Sequence, residues 1–419
     1  MQQLKKYGAI GGAISLALCW PLAVGQIGYN VINDGIAQLD SDAVEAEVVS
    51  YERGYLSSTV VTRYVVKDEF TAEMFAADNI PTEMIVTSEV KHGLFSLSAD
   101  SATEMWPELT LHTDTQLNGN TDFAFKLDSW AAELTAEPAG MFSFAPSTLT
   151  GHVSVLGEVE FELNIPSIQG DSTTSEKWMV TGLTAKGNGK KQKGFWIGDQ
   201  SVVIENMNIV TPQNGKEFEF NQGQYLYSAQ YDEQQQRVDS NHAISANDVI
   251  MGTDKVDNFS VDMTFGQLDA SGFEKLMLAY ETAPVGTVEG ERQFIEAIDS
   301  MMKRGFYIAL NKLSMQMGEG TFSSSWKIEL PESEAGYSMN PMIVLPALTG
   351  HVETFASDQF VADNPSFRAA IDEGMVMEFV GEVDKGYQLK AELKDGQLQF
   401  ASGQKIALQD MLLPLMLGM

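Results

Sequence analysis

The sequence predicts a mainly β protein with a small helical insertion (α+β): an N-terminal transmembrane helix followed by a large antiparallel sheet, flat or curved. Three observations predict this class. No charged residue occurs between Lys6 and Asp34. Short apolar stretches with a two-residue period, typical of half-buried strands, then recur through most of the chain. Within the β-rich part of the chain, the interval at about 269–313 is the exception and has the spacing of amphipathic helices.

The first element is the uncharged segment at 7–29. As a helix it is long enough to cross roughly 30 Å of hydrocarbon. Lys5 and Lys6 precede it and favour a cytoplasmic N-terminus. We therefore predict a cytoplasmic stub at 1–6 and a single-pass inner-membrane anchor at 7–29. The rest of the chain then lies in the periplasm.

Two alternatives compete with a retained anchor. Ala23-Val24-Gly25 forms a small-x-small cleavage site before Gln26, as in a secretory signal peptide. Cys19 stands where a lipoprotein would be acylated, although Leu18 replaces the small residue that normally precedes such a cysteine. A lone cysteine in an apolar segment more often serves as a small hydrophobic residue. We favour the retained anchor.

The composition narrows the classes of function. With 26 Lys and Arg against 58 Asp and Glu, the net charge of −32 repels nucleic acid and anionic lipid headgroups. A hydrophobic content of 44% excludes a disordered chain. Cys19 is the only cysteine, so neither an intramolecular disulfide nor a cysteine-based zinc site is available. The exported part must be held by its core, which 419 residues permit.

The next elements are a stalk at 30–48 and a β-rich domain at 49–419. Apolar residues at helical spacing predict that the stalk is partly helical. From Val48 the pattern changes, and two β-rich runs on either side of Arg53-Gly54 predict a bent strand or hairpin.

The clearest strand pattern covers 153–165, where apolar residues alternate with polar ones. The same period recurs at Phe123, Phe125 and Leu127; Phe259, Val261, Met263 and Phe265; Trp326, Ile328 and Leu330; Tyr387, Leu389, Ala391 and Leu393; and Leu398 and Phe400. Sequential strands with short turns predict an antiparallel sheet with one solvated face.

The helical insertion begins at Asp269 or Ser271, either of which is a suitable cap. The second helix runs from Glu289 to Lys303, and the apolar stripes of both helices are typical of faces that pack on a core. The apolar tail at 411–419 is expected to be a last strand or helix docking on the sheet.

Two short motifs echo each other: Arg53-Gly54-Tyr55-Leu56-Ser57-Ser58 and His92-Gly93-Leu94-Phe95-Ser96-Leu97. Together with Tyr51-Glu52, the first resembles the opening Y-x-R-G-x-x-S-S motif of the YdgA-like bacterial family of unknown function (domain of unknown function 945). Further similar stretches follow in the family's order, at 91–96, 259–269 and 387–398. Ser402-Gly403 departs from the Asn-Gly expected after the closing hairpin. The resemblance implies an inner-membrane-anchored, periplasm-facing protein of a Gram-negative bacterium, without established activity.

Motifs that carry chemistry are missing from the sequence. It contains no H-E-x-x-H, no G-x-S-x-G and no complete phosphate-binding loop. The five histidines lack the spacing that places two metal ligands on one helix face. Those beside a glycine at the start of a strand are expected to be hydrogen-bonded turn residues. We therefore predict no catalytic, metal or cofactor site, and a protein that is not an enzyme.

One local charge anomaly is a candidate interaction site on an otherwise acidic chain. It consists of Lys186, Lys190, Lys191, Lys193, Phe195 and Trp196. A basic hairpin tip followed by aromatic residues fits phospholipid headgroups or an acidic partner. The competing interpretation is a soluble turn that prevents edge pairing, and we favour it.

Two function classes follow. The first is a non-enzymatic binding or scaffold protein of the cell envelope, whose partner is an unknown envelope protein or lipid. The alternative is a lipid-handling protein that offers acyl chains an apolar groove on its sheet.

Overall fold

A computed structural model describes residues 24–30, 32–33, 35–37, 39, 44–77, 81–134, 139–172, 176–211, 215–282, 287–334, 336–337 and 340–410. The structure is mainly β, and its sheet is large and antiparallel with few helices. The mainly β class predicted from the two-residue period is therefore confirmed.

The chain divides into two compact units. The first is drawn from Met1–Lys186 and Ile209–Gly215, and the second from Gly187–Asn208 and Lys216–Met419. Strands β11 (Lys177–Gln192) and β12 (Phe195–Thr211) contribute residues to both.

The first unit contains ten strands that pair antiparallel. They are β1 (Val44–Arg53), β2 (Ser57–Val66), β3 (Glu83–His92), β4 (Ser96–Thr103), β5 (Leu109–Gln116), β6 (Thr121–Leu127), β7 (Trp130–Leu134), β8 (Gly140–Phe144), β9 (Ser147–Val153) and β10 (Val159–Ser172). Strands β1 to β6 pair in sequence order, and β9 follows β6. Strand β10 pairs with β9 and β8 in one continuous register, and β8 also pairs with β7.

The second unit continues with strands β13 (Gly215–Asp232), β14 (Arg237–Met251), β15 (Asp254–Asp269), β16 (Phe306–Met317), β17 (Gly320–Leu330), β18 (Thr349–Ser357), β19 (Val380–Val383), β20 (Gly386–Lys394), β21 (Gln397–Phe400) and β22 (Lys405–Ala407). Strands β13 to β18 pair in sequence order, and β20 follows β18. Strands β19 and β21 pair with β20, and β22 closes the order beside β21.

Six helices are described in addition to the helical residues near the N-terminus. They are α1 (Glu69–Ala77), α2 (Ala270–Thr282), α3 (Val288–Lys303), α4 (Pro341–Ala347), α5 (Asp358–Asp363) and α6 (Pro365–Val376). The predicted helical insertion is present, but it ends at Lys303 and not near 313. Gly305 adopts a φ of 71° and donates its N–H to the Met302 carbonyl, which ends the helix before β16 begins.

Two other predicted boundaries are corrected. The pattern at 153–165 covers a hairpin instead of one strand, because Gly157 has a φ of 78° and donates to the Ser154 carbonyl in a turn. The predicted alternation is present within β10 itself, from Val159 onward. The predicted stalk at 30–48 is shortened, since β1 already begins at Val44.

The predicted anchor at 7–29 lies largely outside the described residues. Residues 24–30 are helical, and we call them the N-terminal helical segment. Among the described residues, no helix combines the length and apolar character needed to cross a membrane. The apolar tail at 411–419 also lies outside the described residues.

Two buried clusters lie in the second unit, where helices cover the sheet. One joins β17 and β18 to α5 and α6 through Phe322, Ala356, Phe360, Val361 and Ile371. The other is formed by Phe195, Val238 and Ala270, with Phe273 of α2 packed against it. Burial of large aromatic side chains supplies most of the stabilisation at such contacts.

Candidate functional site

The two echoed motifs of the sequence lie on one face of the first unit. Strand register pairs Arg53 with Ser58, and Tyr51 with Val60, across β1 and β2. Ser58 lies opposite Val90 in β3, two residues before His92. Side chains two residues apart share a face of a sheet. The side chains of Tyr51, Arg53, Ser58 and His92 therefore emerge together, and we call this surface the motif face.

A buried hydrogen bond between a serine and a histidine lies within the motif face. The Ser58 Oγ and His92 Nε2 atoms are 2.8 Å apart, and the two residues are 2% and 6% exposed. The His92 Nδ1 atom lies 3.3 Å from the Tyr55 carbonyl oxygen, which only accepts hydrogen bonds. Nδ1 therefore carries the proton of the neutral ring, and Nε2 accepts from the Ser58 hydroxyl.

The N-terminal helical segment packs on the motif face through its two glycines. A Cβ atom at Gly25 would lie 2.6 Å from Cε1 of His92, and one at Gly28 would lie 3.0 Å from Leu97. Only a residue without a side chain allows backbone and imidazole to approach this closely.

Two side-chain contacts extend this packing. Arg53 donates a hydrogen bond to the Gln26 side chain. The rings of Tyr29 and Tyr51 meet edge to face with centroids 4.9 Å apart. The residues that carry the family resemblance thus form the surface on which the helical segment packs.

The chemistry open to this arrangement follows from its burial. A serine hydroxyl that donates to imidazole is the first half of a nucleophile and base pair. Here the other ring nitrogen faces a backbone carbonyl, and Gly25 covers the ring. A substrate carbonyl does not reach Ser58 Oγ in this arrangement. The hydrogen bond instead fixes the ring on which the helical segment rests.

Sequence reasoning did not bring Ser58 and His92 together. It treated His92 as a hydrogen-bonded residue beside a turn glycine, and this local interpretation is confirmed. The similarity of the two motifs was the feature of the sequence that could have indicated that Ser58 and His92 lie close together. Both turns are built alike, because Gly54 donates to the Ser57 carbonyl and Gly93 to the Ser96 carbonyl. Antiparallel pairing of β2 with β3 sets the two turns side by side.

The predicted basic site is spread along strands, with only one lysine in the turn. Lys193 and Gly194 form that turn, with φ values of 55° and 83°. Lys193 is paired with Glu274 of α2 at 2.9 Å between Nζ and Oε2. This contact raises the pKa of Lys193. Lys186, Lys190 and Lys191 lie within β11.

Phe195 and Trp196, the aromatic residues of the predicted basic site, have different surroundings. Phe195 is buried and stacks on Phe273, with centroids 3.8 Å apart. Trp196 is half-buried and packs beside Gly189, and its buried Nε1 has no hydrogen-bond partner among the described residues. The Phe195 ring therefore belongs to the core and does not serve as a surface anchor.

The other histidines do not converge. His112 and His152 each contact one aspartate, Asp100 and Asp122, at 2.7 Å. His242 Nδ1 lies 2.8 Å from the Tyr225 hydroxyl, and burial lowers the pKa of this histidine. Within the part of the chain that the structure describes, no group of three or more His, Cys, Asp or Glu side chains is placed to hold a metal ion.

The second unit presents a broad apolar sheet face. Strand register sets Met263, Leu310 and Trp326 side by side. Neighbouring rows on the same face contain Ile244, Val261 and Leu313, and Phe265, Ile308 and Ile328. We call these nine residues the apolar face. Ile244 and Ile328 remain exposed, so the helices cover this face only in part.

The opposite face of the same strands is polar. Asn241 and Asn311 both donate to the Asp262 carboxylate at 2.7 Å. The two faces of one sheet therefore differ sharply in polarity, as expected for a sheet with one solvated side.

Comparison with known proteins identifies one family. A family model described as "Bacterial protein of unknown function (DUF945)" matches residues 4–409. Neither the curated proteins nor the solved structures contain a match.

Proposed function

The chain belongs to the bacterial family of unknown function DUF945, and on that premise we propose that it is a periplasmic protein anchored in the inner membrane, with a non-enzymatic binding or scaffold role in the cell envelope. The anchor is the single uncharged segment at 7–29, and Lys5 and Lys6 orient it. The partner is an envelope protein or a lipid.

The observation that supports this proposal most directly is the seating of the N-terminal helical segment. Val24, the first described residue, is buried, and the glycines that follow it pack on the motif face. Cleavage after Gly25 would leave this seat without Val24 and Gly25. A retained segment instead joins the membrane to the sheet without a long flexible linker.

Topology is tested with fusions at the C-terminus. Alkaline phosphatase, which is active only outside the cytoplasm, is expected to be active when fused there. A cytoplasmic reporter at the same place is expected to be silent. The opposite pair of results would overturn the proposed orientation. Intact mass of the purified protein distinguishes a retained N-terminus from one cleaved before Gln26.

The binding role is tested on the basic residues of β11. We expect charge reversal by Lys191→Glu to reduce crosslinking to an acidic envelope partner. Lys385→Glu is the matched control, because Lys385 is also exposed and lies in a turn. Equal crosslinking by both variants would remove the basic site from the proposal and leave its lysines as solubilising residues that prevent edge pairing.

The apolar face of the second unit favours a second candidate, a lipid-handling protein. Nine apolar side chains adjoin on this face, and Ile244 and Ile328 among them remain exposed, which offers an apolar ligand a contact surface on the sheet. Acyl chains of phospholipid match such a surface, because their contact with it is purely apolar.

Two neighbouring residues of similar exposure test this candidate. Ile244 and Leu226 are 42% and 41% exposed, and register places them on opposite faces of adjacent strands. Native mass spectrometry of the detergent-extracted full chain is expected to show bound phospholipid. Ile244→Glu should lose it, and Leu226→Glu should retain it. Equal retention by both variants would reject a groove on this face.

A further inference from the structure

Four hairpin turns at one end of the first unit carry exposed apolar side chains. These residues are Tyr55 and Leu56, Leu94 and Phe95, Leu117, and Val155 and Leu156. We call them the apolar rim. Phe95 and Leu156 are 75% and 79% exposed, which makes them among the most exposed hydrophobic residues described. Hairpin turns normally carry Gly, Asn, Asp or Ser at such positions.

The rim is continuous across the sheet. His92 donates its N–H to the Leu56 carbonyl, and Leu117 donates to the Phe95 carbonyl. The Val155 N–H donates to the Asn120 side chain at 3.0 Å, joining the last two turns. With a strand spacing of about 4.8 Å, eight strands extend the rim over roughly 35 Å.

The two ends of the first unit differ in charge. The rim turns at 54–56, 93–95, 117–120 and 154–158 contain one acidic residue, Glu158, and Glu52 and Asp122 lie in the adjoining strand ends. Connections at the opposite end carry exposed acidic residues, including Asp68, Glu69, Glu104 and Asp128. Anionic lipid headgroups therefore repel the rim end less than the opposite end, whose connections carry more acidic residues.

The N-terminal helical segment meets the sheet at the rim. Gly25 lies against His92 and Gln26 bonds Arg53, and both partners are the last residues of their strands before a rim turn. Tyr29 contacts Tyr51, which lies farther from the turn. The N-terminal end of the described helical segment therefore lies beside the apolar rim.

We propose that the apolar rim inserts into the interfacial layer of the phospholipid membrane that holds the anchor, so that the first unit stands on the membrane surface. Phe, Tyr, Leu and Val side chains suit the boundary between headgroups and acyl chains. This proposal rests on the membrane anchoring proposed above, and it adds a second contact that orients the sheet.

Depth measurements on the full chain test the rim. Cys19→Ala removes the only cysteine, so a single new cysteine can be labelled with bimane. Phe95→Cys and Leu156→Cys place the label on the rim, and Glu104→Cys places it at the acidic end. Val288→Cys is the control for exposure, because Val288 is 84% exposed and is not part of the rim.

Each labelled protein is reconstituted in vesicles of phosphatidylethanolamine and phosphatidylglycerol that contain nitroxide-labelled lipid. We expect quenching of both rim labels to exceed that of both controls several-fold. Adding Leu156→Glu to the protein labelled at residue 95 should reduce its quenching, while circular dichroism shows unchanged strand content.

Vesicle flotation separates the two proposals. If the protein floats but rim and control labels are quenched equally, the rim proposal fails and the anchor stands. If the protein does not float, the anchor fails and the rim proposal fails with it. A third outcome is weak quenching of the rim labels together with disulfide-linked dimers of the unlabelled Leu156→Cys protein. It would show that the rim contacts a second copy of the chain, and it would also overturn the membrane proposal.

Discussion

Helical residues cover a sheet face in each unit, but the two contacts are built from different chemistry. In the first unit, the N-terminal helical segment lies on the motif face through two glycines and the buried Ser58–His92 pair. In the second unit, α5 and α6 lie on β17 and β18 through the rings of Phe322, Phe360 and Phe367, whose centroids are 5.2–5.5 Å apart.

The two contacts differ in the size of the side chains that meet. Apolar stabilisation grows with buried area, so two helices with several large rings suffice in the second unit. In the first unit, the contacts of the N-terminal helical segment with the sheet involve two glycines, Gln26 and Tyr29. There the backbone at Gly25 lies close to the His92 ring, and hydrogen bonds hold that ring in one orientation. We therefore expect the aromatic contact to carry more stability and the motif face to carry more positional specificity.

The largest expected effect is on the aromatic contact. Phe360→Ala should cost the second unit about 3–5 kcal/mol, because it leaves a cavity beside the rings of Phe322 and Phe367. Hydrogen exchange in β17 and β18 measures this loss without assuming that both units unfold together. Val376→Ala on α6 is the control, since Val376 is exposed and its loss should cost less than about 0.5 kcal/mol. A similar effect of both variants would remove the basis of the comparison.

The next effect is on the glycine contact. Gly25→Ala should weaken the seating of the N-terminal helical segment by about 1–3 kcal/mol, because the added Cβ overlaps the His92 ring. Gly35→Ala is the matched control: residue 35 is also helical, and a Cβ there meets nothing within 4 Å. Helix propensity favours alanine equally in both variants. Faster proteolysis near residue 30 in the first variant alone is the expected result, and equal rates would contradict the close packing.

A smaller effect is expected at the buried hydrogen bond. Ser58→Ala should destabilise the first unit by about 1–2 kcal/mol, because a buried imidazole nitrogen loses its donor. Ser57→Ala is the control on the adjacent, exposed residue. Thermal unfolding of the two variants, compared with the parent, measures the difference. Comparable values would show that the Ser58–His92 contact does not hold the motif face together.

The smallest expected effect is on pH dependence, and it lies in the second unit. Burial lowers the pKa of His242, so the folded protein binds a proton less readily there than the unfolded chain. Stability should therefore fall as pH decreases below about 6.5, the ordinary histidine value, until the folded pKa is passed. His242→Gln should flatten this part of the stability curve in urea titrations. An unchanged slope would mean that His242 contributes nothing to it.

The sequence predicted features that depend on neighbouring residues better than features that depend on residues far apart in the chain. Alternation within β15, β17 and β20 was readable because the period of a strand is a local property. Boundaries failed at glycines: Gly157 divides the pattern at 153–165, and Gly305 ends the insertion before β16. The periodicity of apolar residues does not reveal that one residue adopts a positive φ and ends a strand or helix.

The candidate site was less predictable because its members are far apart in the chain. Ser58 and His92 are separated by 34 residues, and their contact depends on the register of β2 with β3. Phe195 looked like a surface anchor beside lysines, but the packing of α2 placed Phe273 on its ring. Neither outcome is encoded in local spacing.

The sequence alone determined the β class, the family, the acidic charge and the uncharged N-terminal run, because these depend on composition, period and order along the chain. Tertiary structure decided which residues meet. It seated the N-terminal helical segment on the motif face and aligned four apolar turns into one rim. It also separated an apolar face from a polar one. The physical reason is strand register, which sums hydrogen bonds over many residues and fixes neighbours that no local pattern specifies.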